Sequence, residues 1–553
     1  MTSAEEPKRR EVKIRVHDGV EIAVALYMPE GDGPFPVVLG AAPYRYDNNS
    51  LPASPQFLWR ETGPIGLYVA RGYVYAHMDA RGCGKSGGEF RFLDRNEQKD
   101  LYDVVEWLGR QSWSSGKVGG IGQSYFCMLQ WWMAIQRPPS LACIAAFDGL
   151  NDPYRASVYQ GGVLGDFFGS YWWNQNRIIN RHPSNGEFSR EQPSDLNLLL
   201  QQHPTYDEFW RERCAAEHLH QIEVPLYSVG VWGKVDLHTR GNIDGYRHAS
   251  GPKKLKMIGP VNAFVANREF NSPELHEKLL LPFYDHYLKG LKTDYLDRPG
   301  VEYFVRGADA VRTALVWPPD GVRYVDWHLS AEKSGSVTSL NDGGLTRAKA
   351  ADGQKTSEQQ TSYTYPNPGW MIGVVGFGPN NQPDPARRVL TFTTSPLERD
   401  LEIAGPIKLV LYASSTRDDT DFFVKLSEQM PQPAEERGKG INPASFWITK
   451  GWLRASHRAL DAKKSIEMEP YHSHADPTPI EPGKIYRFDI SVEPMAHRFK
   501  KGSRVRLEIV NGDSVVTDVL WSHYYAPNKI GTDTIHHSAE HPSALTLPVM
   551  EGA

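Results

Sequence analysis

The chain has 553 residues, 40% hydrophobic and 11% aromatic, with a formal net charge of −5. That length suggests roughly two to four domains, and the apolar content suits folded cores and excludes a disordered chain. No basic stripe points to a nucleic acid, and no apolar run approaches the roughly 20 residues that span a bilayer.

The N-terminal stretch "MTSAEEPKRREVKIRV" is polar and lacks the apolar centre of a signal peptide, so a cytoplasmic, non-membrane protein is expected. Cys83, Cys127, Cys143 and Cys214 are scattered and form no C-x-x-C pair. Neither a disulfide framework nor a metal site is expected from them. "EIAVALYMP", "PFPVVLGAAPY" and "GYVYAHMDARG" read as strands, the last two ending in loops. "EQKDLYDVVEWLGRQ" reads as an amphipathic helix with Leu101, Val104, Val105 and Leu108 on one face. "GKVGGIGQSYFCMLQWWMAIQ" reads as strand, tight turn and helix. Strands alternating with helices predict an α/β fold, a parallel sheet covered on both faces.

From about 148 to 222 the chain is helical and aromatic with no clear strand, which predicts a cap inserted over the carboxyl edge of the sheet. The α/β pattern returns with "VPLYSVGVWG", "KKLKMIGPV" and "HEKLLLPFYDHYLKG". The predicted domains are therefore 1–147 with 223–319, the cap 148–222, and a β domain 320–553. In the last, "RVLTFTT", "IKLVLYASS", "DFFVKLSEQM", "IYRFDISVEP" and "RVRLEIV" are short alternating strands of an all-β sandwich. "AKAADGQKTSEQQTS" reads as a polar loop.

"GGIGQSYFCM" places Ser124 between a strand and a helix. A serine hydroxyl is a weak nucleophile that needs an exposed, fixed position and a base. Gly120 and Gly122 suit the crowded turn, and the N–H of Tyr125 at the helix start suits an oxyanion. The generic G-x-S-x-G pattern is only partly met, because Phe126 stands where the second glycine would be. The bland alternative is a serine that merely caps the helix.

Several longer stretches carry a resemblance: "APYRYDNN", "GYVYAHMDARGCGKSGGEF", "GIGQSYFC", "ITKGWLRASHR" and "TIHHSAEHPSALTLPV". In this order they resemble the cocaine esterase and Xaa-Pro dipeptidyl-peptidase (CocE/NonD) family, which includes the α-amino-acid ester hydrolases. The resemblance implies an α/β-hydrolase domain, an inserted helical cap and a C-terminal jelly roll. It implies a cofactor-independent hydrolase of a small-molecule ester or amide, with Ser124 as nucleophile and the Tyr44 hydroxyl as second oxyanion donor.

The family's acid and base do not transfer. Its acid position, in "SVGVWGKVDLHTRGN", falls on Gly233, and its histidine position, in "KMIGPVNAFVANREF", falls on Ala263. Three readings stay open. The base has moved to His238, in "GKVDLH", oriented by Asp236 or another carboxylate. The site polarises a carbonyl in a lyase-, cyclase- or isomerase-like reaction without a full triad. Or the pocket only binds a small molecule.

Phe168, Trp172 and Trp173 of the cap, with Trp232, are candidate walls of the acyl pocket. Asp79 and Arg81 read as a structural ion pair, His77 as a core histidine, and His536, His537 and His541 as structural. No nucleotide cofactor is expected. The aromatic content is compatible with a homo-oligomer.

Overall fold

The computed structural model describes residues 8–47, 61–181, 192, 194–259, 263–350, 359–365, 376–377, 383–514, 518 and 522–551. Its first layer is a sheet built from β1 (Arg9–Arg15), β2 (Glu21–Tyr27), β3 (Phe35–Ala42), β4 (Val74–Asp79), β5 (Ser114–Gly120) and β6 (Leu141–Phe147). After a small hairpin in the cap, β7 (Tyr159–Gln160) and β8 (Val163–Leu164), the sheet continues with β9 (Leu226–Val231), β10 (Lys253–Ile258), β11 (Val301–Val305) and β12 (Ala310–Ala314). Its spatial order is β1-β2-β4-β3-β5-β6-β9-β10-β11-β12. The strands from β4 to β11 run parallel, and antiparallel strands close both edges.

The pattern of the strands explains this arrangement. β4 and β9 are buried along their whole length, as strands covered on two faces must be. In β2, Ile22, Val24 and Leu26 enter one hydrophobic cluster, while Ala23, Ala25 and Tyr27 enter another across the sheet. α1 (Ile65–Ala70) and the helix Leu281–Lys289 cover the second face. α2 (Arg95–Gly109) and α3 (Tyr125–Ile135) cover the first. Leu101, Val104, Val105 and Leu108 of α2 all point into that core. α2 starts at Asp94, which accepts the Glu97 N–H at 2.9 Å, while Glu97 accepts the Leu93 N–H at 2.6 Å. α3 is apolar on every side and all eleven of its residues are buried, so it is a central helix rather than a surface one.

The cap is largely helical, as expected, with helices Trp173–Arg181, Leu196–Gln201 and Glu208–Arg213. The β7–β8 hairpin is a correction to the strand-free reading, and it rests on the β domain, where the Arg454 N–H donates to the Gly161 carbonyl at 2.8 Å. In the β domain, strand Leu401–Ser415 pairs with both Tyr486–Phe499 and Ala544–Met550, closing a ring of nine strands. The polar stretch read as a loop contributes strand Gln360–Thr364, paired with Thr532–His536. Its residues 351–358 lie outside the described ones. Among the described residues no helix is long and apolar enough to cross a membrane.

Candidate active site

The candidate residues gather at the carboxyl ends of the parallel strands, where ligands bind in open α/β sheets. Tyr44 follows β3, Ser124 follows β5, Asp148 follows β6, and Lys234 follows β9.

Ser124 has φ 59° and ψ −117°. A non-glycine residue held there carries strain of about 1–3 kcal/mol and persists only where its surroundings enforce it. The enforcement is visible. The Ser124 N–H donates to the Asp148 carbonyl at 2.9 Å, and the Gln123 N–H donates to the Glu61 carbonyl at 3.0 Å. Gly122, at φ +121°, has no room for a side chain, since a Cβ would lie 2.3 Å from that of Phe126. The incomplete glycine motif has a compensation across the turn. At Gly149 a Cβ would lie 2.4 Å from the Cys127 Cβ and 3.0 Å from the Ser124 carbonyl. Ser124 itself is half-buried among fully buried neighbours. It caps α3, so the first N–H of that helix, from Tyr125, belongs to a helix end whose donors lack intrahelical partners.

The Tyr44 hydroxyl accepts the Trp172 indole N–H at 2.9 Å and lies within side-chain hydrogen-bonding range of Ser124. Burial, then the nearby Glu61, pushes its pKa far up, so it stays protonated and can donate. Its ring contacts those of Tyr125 and Trp172 at 6.1 and 6.3 Å, and Tyr125 stacks on Trp172 at 5.6 Å. Phe168 packs on Trp172 at 4.9 Å. Phe168 and Trp172 thus pack this helical segment against Tyr44 and Tyr125, on either side of the Ser124 turn in sequence. Trp173 stacks on Phe90, 5.8 Å away. The reading of Trp232 as a pocket wall is corrected. Its N–H donates to the Phe304 carbonyl at 2.7 Å, its ring packs on Trp317, and it belongs to the core shared with the β domain.

Asp236 is corrected as the partner of His238, and the other alternative, a different carboxylate, is the one the structure holds there. His238 Nδ1 lies 3.3 Å from the Asp148 carboxylate, and Asp236 is paired with Lys450 of the β domain at 2.9 Å. Both residues are buried, so each charge takes the partner in contact with it rather than the one adjacent in sequence. Burial lowers the His238 pKa below its ordinary value against the pull of Asp148. Among the described residues, no hydrogen bond or ion pair joins an imidazole to Ser124. Ala263 opens the helix Ala263–Phe270, and the preceding residues 260–262 lie outside the described ones, as do Asn48 and Asn49 of the first loop.

Asp148, Lys234 and Glu61 were not singled out from the sequence. Lys234, buried, donates to Asp148 at 2.7 Å and to Asn267 at 2.8 Å, the two acceptors that Gln123 also uses, at 2.7 and 2.9 Å. Burial pushes the Asp148 carboxyl up, but Lys234 and His238 outweigh it and hold it far below the usual carboxylate range. Glu61, 1% exposed, lies within side-chain hydrogen-bonding range of Ser124. Burial raises its pKa, Lys234 lowers it, Asp148 raises it and Ser124 lowers it, leaving it at about 8. Lys234 had a signal in the sequence, a lysine directly after Gly233 in the segment that resembles the acid loop. Glu61 had none.

Elsewhere, Arg81 pairs with Asp100 at 2.6 Å and Asp18 at 2.7 Å, not with Asp79. Asp79 instead accepts the N–H groups of Tyr46 and Lys85, and burial raises its pKa to about 7. His77 is buried against Phe126 with both ring nitrogens unpartnered among the described residues, so it is a core histidine but not a satisfied one. His536 bonds Ser414 and His537 bonds Thr361. No group of described residues is arranged to hold a metal ion.

Residues 18–262 match the family model for X-Pro dipeptidyl-peptidase (S15 family), and residues 295–546 match that for the X-Pro dipeptidyl-peptidase C-terminal non-catalytic domain. The chain is 25% identical to the cocaine esterase of Rhodococcus sp. (strain MB1 Bresler), over 98% of each chain. It resembles a CocE/NonD family hydrolase from Staphylococcus aureus at a TM-score of 0.80 and 26% identity, covering 98% of this chain and 93% of that one. An α-amino-acid ester hydrolase shares the fold, with a TM-score of 0.72 at 21% identity, covering 98% and 96%.

Proposed function

We propose, for a chain that belongs to the CocE/NonD and X-Pro dipeptidyl-peptidase (S15) family of hydrolases, that it cleaves a small ester through an acyl-enzyme on Ser124. The observation that carries this reading is the conformation of Ser124: strained, half-accessible, and facing the Tyr44 hydroxyl at the start of α3. A strained serine at such a turn fits a nucleophile better than a helix cap, and its side chain makes no capping bond.

In the reaction, the Ser124 oxygen adds to the substrate carbonyl and its proton leaves to a base. The negative charge on the carbonyl oxygen is met by the Tyr44 O–H and the Tyr125 N–H. The Trp172 indole N–H donates to the Tyr44 oxygen and holds it in place, which leaves the tyrosine's own proton for the oxyanion. Collapse expels the alcohol, and water repeats the sequence on the acyl-enzyme. An ester is favoured over an amide because an alkoxide leaves with less need of a proton than an amine does, and no imidazolium contacts Ser124 to supply one. The cocaine esterase relative supports the same preference. We read the closed β domain as the family's jelly roll.

Phosphonylation tests the reading. A fluorophosphonate should label Ser124, and Ser124→Ala should lose both the label and turnover of p-nitrophenyl acetate. The missing imidazole contact also favours a second reading, carbonyl polarisation without acylation. Turnover by a protein that resists labelling would select that reading and reject the acyl-enzyme.

A further inference from the structure

The mechanism above requires a proton acceptor beside Ser124, and the residues at the family's acid and histidine positions, Gly233 and Ala263, cannot serve. The acceptor must touch the serine hydroxyl, be able to take a proton, and have an atom free to do so. His238 fails the first condition, because among the described residues no hydrogen bond joins either of its ring nitrogens to Ser124, and its Nδ1 faces Asp148. Asp236 fails it too, because it is paired with Lys450. Lys234 fails the first as well, because its Nζ is held on the Asp148 carboxylate and donates to the Asn267 amide oxygen.

We propose that Glu61 is the general base of this enzyme, taking the Ser124 proton directly and forming a serine–glutamate dyad in place of the serine–histidine one. The proposal rests on the hydrolase reading above. Its geometry has three parts. The Glu61 side chain lies in hydrogen-bonding range of the Ser124 hydroxyl. Its backbone carbonyl accepts the N–H of Gln123, the residue before the nucleophile, at 3.0 Å, which ties the two loops together at this point. Its Oε2 is buried with no hydrogen-bond partner among the described residues, an acceptor position left open.

The proton balance closes on this one residue. As the Ser124 oxygen bonds to the acyl carbon, its proton passes to the Glu61 carboxylate. When the tetrahedral species collapses, the carboxylic acid returns that proton to the departing alkoxide. A water then gives its proton to Glu61 as it attacks the acyl-enzyme, and Glu61 returns it to the Ser124 oxygen as the acid product leaves.

The groups facing Glu61 set its working range. Lys234 favours the carboxylate, while Asp148 and the surrounding apolar packing favour the acid. The Tyr44 hydroxyl, which also feels Glu61, remains protonated throughout. Activation of Ser124 should therefore increase with pH around a midpoint of about 8.

The test follows the rate of Ser124 phosphonylation against pH in the full-length protein. The parent should show a single rise centred near pH 8. Glu61→Gln should slow labelling about 10²- to 10⁴-fold and flatten the pH dependence. In Glu61→Ala, added formate should restore part of the rate. A Glu61→Gln protein labelled at the parental rate with the parental profile overturns the proposal. So does a parental midpoint at or below 6.5, where an imidazole titrates; that arm needs no variant to fold. Loss of labelling in His238→Asn with retention in Glu61→Gln would assign the base to the imidazole. In each of these outcomes Ser124→Ala still loses the label, whereas turnover surviving Ser124→Ala rejects the acyl-enzyme reading itself.

Discussion

Replacing Glu61 with glutamine should change how stability depends on pH, independently of any effect on turnover. Burial leaves the Glu61 carboxyl with a pKa of about 8 in the folded protein, against 4.5 for a free glutamate. Between those values the folded state binds more protons than the unfolded state. Folding stability from this group therefore falls as pH rises from about 4.5 to about 8 and is level outside that window. At about 1.4 kcal/mol per pH unit, the full loss is on the order of 5 kcal/mol. Glutamine has the shape of the protonated acid and cannot ionise, so the variant escapes the loss. Unfolding entropy scales with chain length. It gives about 1.2 kcal/mol/K if the whole chain melts together, so a Tm difference of about 4 °C. If the α/β domain and cap, roughly 300 residues, melt by themselves, the difference is about 8 °C. The assay is differential scanning calorimetry of both proteins from pH 5 to pH 9. The melting temperature of Glu61→Gln should gain on that of the parent steadily up to about pH 8 and then run parallel. Curves that stay parallel across the whole range would mean that Glu61 ionises like an exposed glutamate, and the argument from its burial would fail.

Tyr44→Phe removes the proposed oxyanion donor and strands the Trp172 indole N–H. The expected outcome is a kcat for p-nitrophenyl acetate lower by about 10²- to 10³-fold with little change in KM. A stability loss of about 1–3 kcal/mol should accompany it in urea unfolding, from the unpaired buried donor. Gly149→Ala drives a methyl into Cys127 and should cost about 1–3 kcal/mol and slow Ser124 labelling. Thermal melts should show that adding Cys127→Gly restores much of it. His77 is neutral when folded, with burial lowering its pKa to about 3 from 6.5, so its stability contribution is complete above pH 6.5 and declines as pH falls toward 3. In urea unfolding, His77→Leu should gain on the parent at pH 4 relative to pH 7, and an equal difference at both pH values would refute this.

The elbow was legible because it is local. Glycine spacing, a strand before it and an apolar helix after it are written within "GKVGGIGQSYFCMLQWWMAIQ", and the turn sterics follow from those residues alone. Even so, the role of Gly149 in making room for Cys127 appeared only in three dimensions. Phe168 and Trp172 were legible as cap aromatics, but which side of the site they support was not. Asp236 and His238 were misread as a pair because sequence adjacency was taken for contact. Their partners, Lys450 and Asp148, come from a strand of the other domain and from the end of β6. Asp148 could have been noticed, since a carboxylate directly after a parallel strand sits at the edge where such sheets bind ligands.

The sequence by itself determined the alternation of strand and helix, the cap, the β-rich C-terminal region and the nucleophile turn. Each is fixed by short-range periodicity and by turn sterics, which a few neighbouring residues suffice to set. It also determined that glycine and alanine, Gly233 and Ala263, stand where the resemblance leads one to expect the acid and the histidine. Only the tertiary structure decided what stands beside Ser124. Glu61 lies in a loop with no periodic pattern, and nothing near it in the chain marks it as special. Its unusual character comes from burial and from Lys234 and Asp148, groups delivered by distant strands of the sheet. Proton affinity is set by surroundings in space, so the raised pKa of Glu61 is a property of the fold and not of the segment that carries it.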